Sequence, residues 1–243
     1  MTETVVVRDL SNREFLARNA GPGRVGLSGG TTLLDRAICR AERHQRQDGR
    51  WGVWTHAFVF QGTRADGHHW MIESDLQVKK KHIQLGVQEN RVAKYEDEAY
   101  YGSLAVLDFG LGPAQVEALI CAGLDLVAAR EGYSIRELLG TLLALRHADL
   151  RRRPNLLARD RSVYCSAFVR HAFRAAGIDL APGVELKNTT PEDIATTTVP
   201  HTKYLLVREV PKSLVETAAR RVRASVRSGA RKLRGGTLRQ RET

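Results

Sequence analysis

Cys165 stands in the run Val163-Tyr-Cys-Ser-Ala-Phe-Val-Arg-His-Ala-Phe-Arg-Ala-Ala-Gly177. After it, Ala167, Phe168, Ala172 and Phe173 share one face at helical spacing, and Gly177 supplies a stop, so the pattern predicts a helix over 166–176. Cys165 then sits at the helix N-terminus. There the helix dipole and the unpaired N–H groups favour a thiolate and could hold a developing oxyanion. The residue is a candidate nucleophile; the plainer alternative is a small apolar core residue. Cys39 and Cys121 fall inside predicted helices and take that plainer reading.

A nucleophilic thiolate needs a base, and the base needs an orienting group. Residues 52–60, Gly-Val-Trp-Thr-His-Ala-Phe-Val-Phe, read as a strand, Gly62–Gly67 as a turn, and His68–Ser74 as a second strand. A hairpin symmetric about Arg64 and Ala65 pairs Phe60 with His69, Phe58 with Met71 and His56 with Glu73. Directly opposed side chains share a face, about 5 Å apart at Cβ. Glu73 would accept from one nitrogen of His56 and leave the other for the thiol. A one-residue slip would undo the pairing, and a chance pair or a core histidine is the competing reading.

The elements that must position these groups are mixed α and β. Residues 19–30 are rich in turn formers and read as a loop. Thr31 or Thr32 caps a helix running to about Gln45, with Leu33, Leu34, Ala37, Ile38 and Ala41 as its apolar stripe. Further strands are expected near Ile83–Val87, Ser103–Phe109 and Tyr204–Val210. Pro113 opens a helix to about Arg130, and Ser134–Ala148 forms another, with Glu137 completing a capping box. Thr190-Pro-Glu-Asp-Ile reads as a short capped helical turn.

Composition narrows the function classes. The chain has 243 residues, 42% of them hydrophobic, enough for a core without disulfides. Its net charge is +11, but residues 212–243 hold ten Lys or Arg against two Glu, so the basicity is largely a property of the tail. Three widely spaced cysteines make neither a disulfide framework nor a zinc pair, which points to a reducing, cytoplasmic setting. No secretory leader or apolar span is visible. His68, His69, Glu73 and His82 lack metal-ligand spacing, so no metal and no cofactor is expected; His44, His147, His171 and His201 read as surface or structural. Gly21–Gly30 matches neither a phosphate-binding loop nor a dinucleotide fingerprint.

The order His56, Glu73, Cys165 resembles circularly permuted NlpC-type papain-fold proteins, the group of YiiX-like hydrolases and, more distantly, lecithin–retinol acyltransferase-like enzymes. Five segments carry the likeness: Gly23-Arg-Val-Gly-Leu-Ser-Gly-Gly, Trp54-Thr-His-Ala-Phe-Val-Phe, Trp70-Met-Ile-Glu-Ser, Tyr164-Cys-Ser-Ala-Phe-Val and Thr190-Pro-Glu-Asp-Ile, together spanning residues 20 to 208. Arg24 stands where such proteins often have Asp, and Ala167 where Glu commonly follows Cys-Ser. The resemblance implies an α+β papain-like domain over 1–211: a Cys-bearing helix packed on an antiparallel sheet. It implies a hydrolase or acyltransferase acting on an amide, ester or thioester through an acyl-enzyme, with Cys165 nucleophile, His56 base and Glu73 orienting the base. The Cys165 N–H would serve the oxyanion, with Tyr164 and Ser166 in support. A non-catalytic binding module of the same fold is the alternative. Trp51, Trp54, Trp70 and Tyr133 are candidates to line an apolar pocket.

The tail, 212–243, interleaves Val215, Ala218, Val222, Val226, Ala230 and Leu233 with Arg220, Arg221, Arg223, Arg227, Arg231 and Lys232. That is the pattern of a basic amphipathic helix for an anionic membrane surface, where each cation contributes on the order of 1 kcal/mol. Nucleic acid is the other polyanion, bound nonspecifically because the tail has no aromatic residue. A solvated, disordered terminus is the third reading. The partners expected are thus a lipid or peptide acyl substrate and a membrane surface, and a polyanion-binding protein acting through its tail is the rival function.

Overall fold

A computed structural model describes residues 1–30, 33–43, 51–79, 82–132, 140–141, 143–145, 148–155 and 163–208. Most of the helix expected over 134–148, Tyr133 and all of the tail from residue 209 lie outside the described residues, as do the six cations named in it. Among the described residues no helix is long and apolar enough to cross a membrane.

The protein is α+β, built on one seven-stranded sheet. In chain order the elements are β1 (Glu3–Arg8), α1 (Asn12–Asn19), β2 (Val25–Gly30), α2 (Leu33–Glu42), β3 (His56–Thr63), β4 (His69–Lys79), β5 (His82–Arg91), a 3₁₀ turn (Val92–Glu96), β6 (Tyr101–Asp108), α3 (Pro113–Ala128), α4 (Ala148–Arg152), α5 (Cys165–Ala175), a 3₁₀ turn (Leu186–Asn188), α6 (Pro191–Ala195) and β7 (Thr202–Val207). The strands lie in the order β1-β7-β6-β2-β3-β4-β5. Every neighbouring pair is antiparallel except β1 with β7.

Both faces of the sheet are covered, which explains why its strands read as near-continuous apolar runs rather than strict alternation. Val25, Leu27, Ala57, Val59, Ile72, Ala105 and Leu107 pack on one side with Leu119 of α3 and Ala167, Phe168, Ala172 and Phe173 of α5. Phe58, Phe60, Met71, Leu104, Val106 and Leu206 pack on the other with Phe15 and Leu16 of α1 and with Val92 and Tyr95. Each buried large side chain contributes about 1.5–3 kcal/mol.

Two expectations are corrected. Val25–Gly30, read as part of a loop, is a buried strand at the centre of the sheet. Its glycines are there for space: a Cβ on Gly26 would run into the Phe58 ring, and one on Gly29 into the carbonyl of Val53. The strand read over 52–60 begins only at His56, because Gly52 and Thr55 donate instead to the carbonyls of Cys39 and Ser28. Elsewhere the helix signals correspond to helices: Pro113 opens α3, Thr190 caps α6 in a capping box with Asp193, and α5 ends just before Gly177 at φ 77°.

The symmetric hairpin register is also corrected. Thr63 pairs with His69 and Gly62 with Trp70, but Phe60 pairs with Met71 and Val59 with Ile72. Gln61 is an extra residue on β3, a bulge, and Gly62 beside it takes φ 106°. The bulge matters for parity. Continued without it, the register at the turn would put His56 and Glu73 on opposite faces. With one extra residue on β3 they return to the same face, as diagonal rather than direct neighbours.

Candidate active site

Cys165 is the first residue of α5 and is 4% exposed. Tyr164 is the N-cap and provides no side-chain cap. The Tyr164 hydroxyl instead donates to the Thr189 carbonyl at 2.6 Å, and the Ser166 hydroxyl to the same carbonyl at 2.8 Å. Both side chains thus tie the start of α5 to the segment entering α6, and both hydroxyl hydrogens are taken up by that carbonyl. Ser74 on β4 donates to the Val163 carbonyl and fastens the same junction to the sheet.

His56 opens β3, so its ring stands at a strand end where groups from both sides of the sheet reach it. From the helical side, the Cys165 side chain is the neighbour that acts most strongly on its charge. From the aromatic side, Glu73 Oε2 meets Nε2 at 2.8 Å. With Nε2 occupied by Glu73, Nδ1 is the nitrogen left for the thiol. Phe58 and Tyr95 flank the imidazole, each with ring centroids at 6.3 Å. The three residues singled out from sequence for nucleophile, base and orienting group are therefore brought together.

Glu73 is fully buried and accepts four hydrogen bonds. Besides His56 these come from Tyr95 Oη at 2.7 Å, Asn90 Nδ2 at 2.7 Å and Lys94 Nζ at 2.6 Å. Lys94 also bonds Asp75 at 2.5 Å. Burial alone would raise the Glu73 carboxyl, but Lys94 and His56 outweigh it and hold the group well below the usual carboxylate range. Burial likewise works against a charged His56. The Cys165 charge and hydrogen bond, then Glu73 and Asp75, overcome it and raise His56 to about 10. A carboxylate with four donors stays ionised, and an imidazole between a carboxylate and a thiol stays protonated at neutral pH.

Asn90, Lys94, Tyr95 and Asp75 had no place in the sequence reading. Asn90 had a usable signal, since β5 alternation puts it opposite Met71 and on the face of Glu73. Lys94 and Tyr95 had none: they lie in a 3₁₀ turn beyond β5, and only the fold returns that turn to Glu73.

The other candidates disperse. Trp54 is a core residue, Trp70 lies beneath Arg64 and Arg91 at 4.2 and 5.7 Å from the ring centroid, and Trp51 is 51% exposed in the loop before β3. Arg24 is paired with Asp108 at 2.6 Å. Among the described residues no group of three His, Cys, Asp or Glu side chains is arranged to hold a metal ion. Cys39 is pushed up to about 12 by burial and by the neighbouring Glu42 and Asp35, whereas Cys121 is exposed.

No protein-family model matches the chain, and no curated protein matches it. Among solved structures, the crystal structure of the metalloprotein yiiX from Escherichia coli O157:H7 is similar to it, at 12% identity and a TM-score of 0.49, over 79% of this chain and 99% of that one.

Proposed function

We propose that the protein is a cysteine-dependent hydrolase or acyltransferase with a circularly permuted papain-like core, acting on an amide, ester or thioester carbonyl. The observation that carries this reading is the His56 ring held between Cys165 and the fully buried Glu73. Two features favour this reading over a structural ion pair. The cysteine starts a helix, where backbone N–H groups are available to a developing oxyanion, and the carboxylate is over-determined by four donors, as an orienting group must be.

In this reading the thiol proton resides on His56, and the Cys165 thiolate attacks the carbonyl carbon. His56 then protonates the leaving group as the acyl-enzyme forms, and takes a proton from water or an acceptor amine in the second step. Glu73 keeps Nδ1 directed at the sulfur and stabilises the imidazolium. Lys94, Asn90 and Tyr95 are positioning residues that act through Glu73.

Iodoacetamide labelling across pH, with each modified cysteine located by mass spectrometry, tests the pair. Exposed Cys121 is an internal standard for an accessible thiol, and Cys39 for a suppressed one. Cys165 is expected to label faster than Cys121 at pH 6–7 despite its burial, and His56→Ala is expected to abolish that advantage. Labelling of Cys165 no faster than Cys39, or unchanged by His56→Ala, would overturn the proposal.

A further inference from the structure

A buried hydroxyl beside His56 is left without a partner. Ser28 lies on β2 and is 1% exposed, and its Oγ makes no hydrogen bond. Its carbonyl is in use, accepting from the Thr55 N–H at 2.9 Å, so the side chain alone is orphaned. In the ladder Ser28 is directly opposed to His56 on β3 and to Leu104 on β6. Opposed side chains of an antiparallel pair share a face, about 5 Å apart at Cβ. The face is the aromatic one, where Leu104 packs with Phe58 and Tyr95. The residues two places away along β2, Gly26 and Gly30, carry no side chain. The Phe58 ring leans over Gly26, since a Cβ there would run into it. Of the four neighbours His56, Leu104, Gly26 and Gly30, only His56 brings a polar side chain to this hydroxyl.

A hydroxyl buried without a hydrogen bond is costly, and alanine would fill the position with no polar atom to bury. The imidazole beside it supplies a reason to keep the oxygen. Its Nε2 is taken by Glu73 at 2.8 Å. What an imidazolium still offers is its carbon-bound hydrogens, which share the positive charge of the ring. An oxygen facing that edge accepts a weak C–H···O contact and turns the negative end of its dipole to the cation. With Ser28 and Glu73 both buried, water screens such a contact little.

We propose that Ser28 is a positioning residue for His56, its Oγ facing the C–H edge of the imidazolium and steadying both the charge and the tilt of the ring. The inference rests on the reading of His56 as the base of a cysteine nucleophile. The strands β2 and β4 flank β3, so Ser28 and Glu73 approach the ring from its two sides. Neutral imidazole lacks the charge that orients the hydroxyl dipole. The contact therefore favours the protonated ring, the form that holds the Cys165 thiolate. No bond is made or broken at Ser28, and its proton stays on Oγ.

Removal of one atom tests the role. Ser28→Ala deletes an oxygen that makes no hydrogen bond, so the variant is expected to fold. Proton NMR follows the His56 ring across pH in wild type, Ser28→Ala and Ser28→Thr. The other groups that face the ring are the same in all three: Cys165 from α5, Glu73 and Asp75 from β4, and Tyr95 from the 3₁₀ turn with Lys94 behind Glu73. Ser28→Ala is expected to lower the proton affinity of His56 about two- to fivefold, the range of a weak C–H contact, and to move one ring C–H resonance upfield. Ser28→Thr keeps the oxygen and is expected to restore both. A hydroxyl that only fills space would leave His56 unmoved and its removal would stabilise the fold. A His56 proton affinity unchanged or raised in Ser28→Ala, or lowered equally in a folded Ser28→Thr, overturns the Ser28 role and leaves the cysteine reading standing. If Ser28→Thr does not fold, the alanine comparison alone decides. A wild-type Cys165 that iodoacetamide labels no faster than Cys39 overturns the cysteine reading, and the Ser28 role with it.

Discussion

Removing the thiol should release the proton on His56. His56 is raised from 6.5 to about 10, and at about 1.4 kcal/mol per tenfold change this amounts to about 5 kcal/mol favouring the imidazolium in the folded protein. Burial opposes that preference, so the partners supply more than the net figure. Cys165 is the largest of them, through charge and hydrogen bond, ahead of Glu73 and Asp75. Cys165→Ala should therefore bring the His56 titration down further than Glu73→Gln does, although Glu73 makes the 2.8 Å contact. The assay is an NMR titration of the imidazole protons, with His56 assigned by its loss in His56→Ala. The linked effect on stability has a definite sign. A group whose folded pKa is raised contributes fully below the unfolded value and loses its contribution as pH rises through the folded value. Denaturant midpoints should thus decline for wild type between pH 6.5 and 10, and decline less for Cys165→Ala. A wild-type His56 that titrates at 6.5 or below, or one indifferent to Cys165→Ala, would refute the reasoning.

Three further outcomes are expected. Lys94→Met removes the cation that buried Glu73 shares with the neighbouring Asp75, leaving His56 as the remaining positive partner of Glu73, and should cost about 3 kcal/mol by urea denaturation. Glu73, being depressed, stabilises the fold above its unfolded pKa and ceases to do so as pH falls, so Lys94→Met should also raise the acid-unfolding midpoint. Gly26→Ala forces a methyl against the Phe58 ring and should cost about 1–3 kcal/mol, read as a lowered thermal midpoint. Gly62→Ala strains the φ 106° position beside the bulge and places a Cβ 2.9 Å from Pro22 Cγ; it should slow iodoacetamide labelling of Cys165 as well as destabilise, because that bulge sets which face His56 occupies.

Local chemistry decided several elements from the sequence alone. Pro113 and Thr190-Pro-Glu-Asp start helices wherever they stand, because a missing N–H or a reciprocal cap is satisfied within four residues. The helix beginning at Cys165 was legible for the same reason, since its apolar face repeats every three to four residues. The hairpin carrying His56 and Glu73 was legible as two strands and a turn, while its register was not. Pairing depends on which residue the ladder leaves out, and with Gln61 extruded Phe58, Phe60 and Met71 fall in one cluster with Phe15, Leu16 and Tyr95.

Val25–Gly30 shows the opposite limit. Four turn-forming residues in six read as a loop, yet a central strand is where a backbone without Cβ fits beneath Phe58 and beside Val53. Glycine content records only that space is short; the neighbours that make it short arrive from elsewhere in the chain. The same holds for the support of Glu73. Nothing local distinguishes Lys94 from a solvated lysine, and it becomes the partly buried counter-ion of Glu73 only because β5 and its 3₁₀ turn fold back across β4. The sequence by itself determined the reactive residue types and the short-range caps and periods. Only the tertiary structure decided the strand parity that puts His56 and Glu73 on one face, and the charges that keep one ionised and the other protonated, because parity and burial are sums over residues distant in the chain.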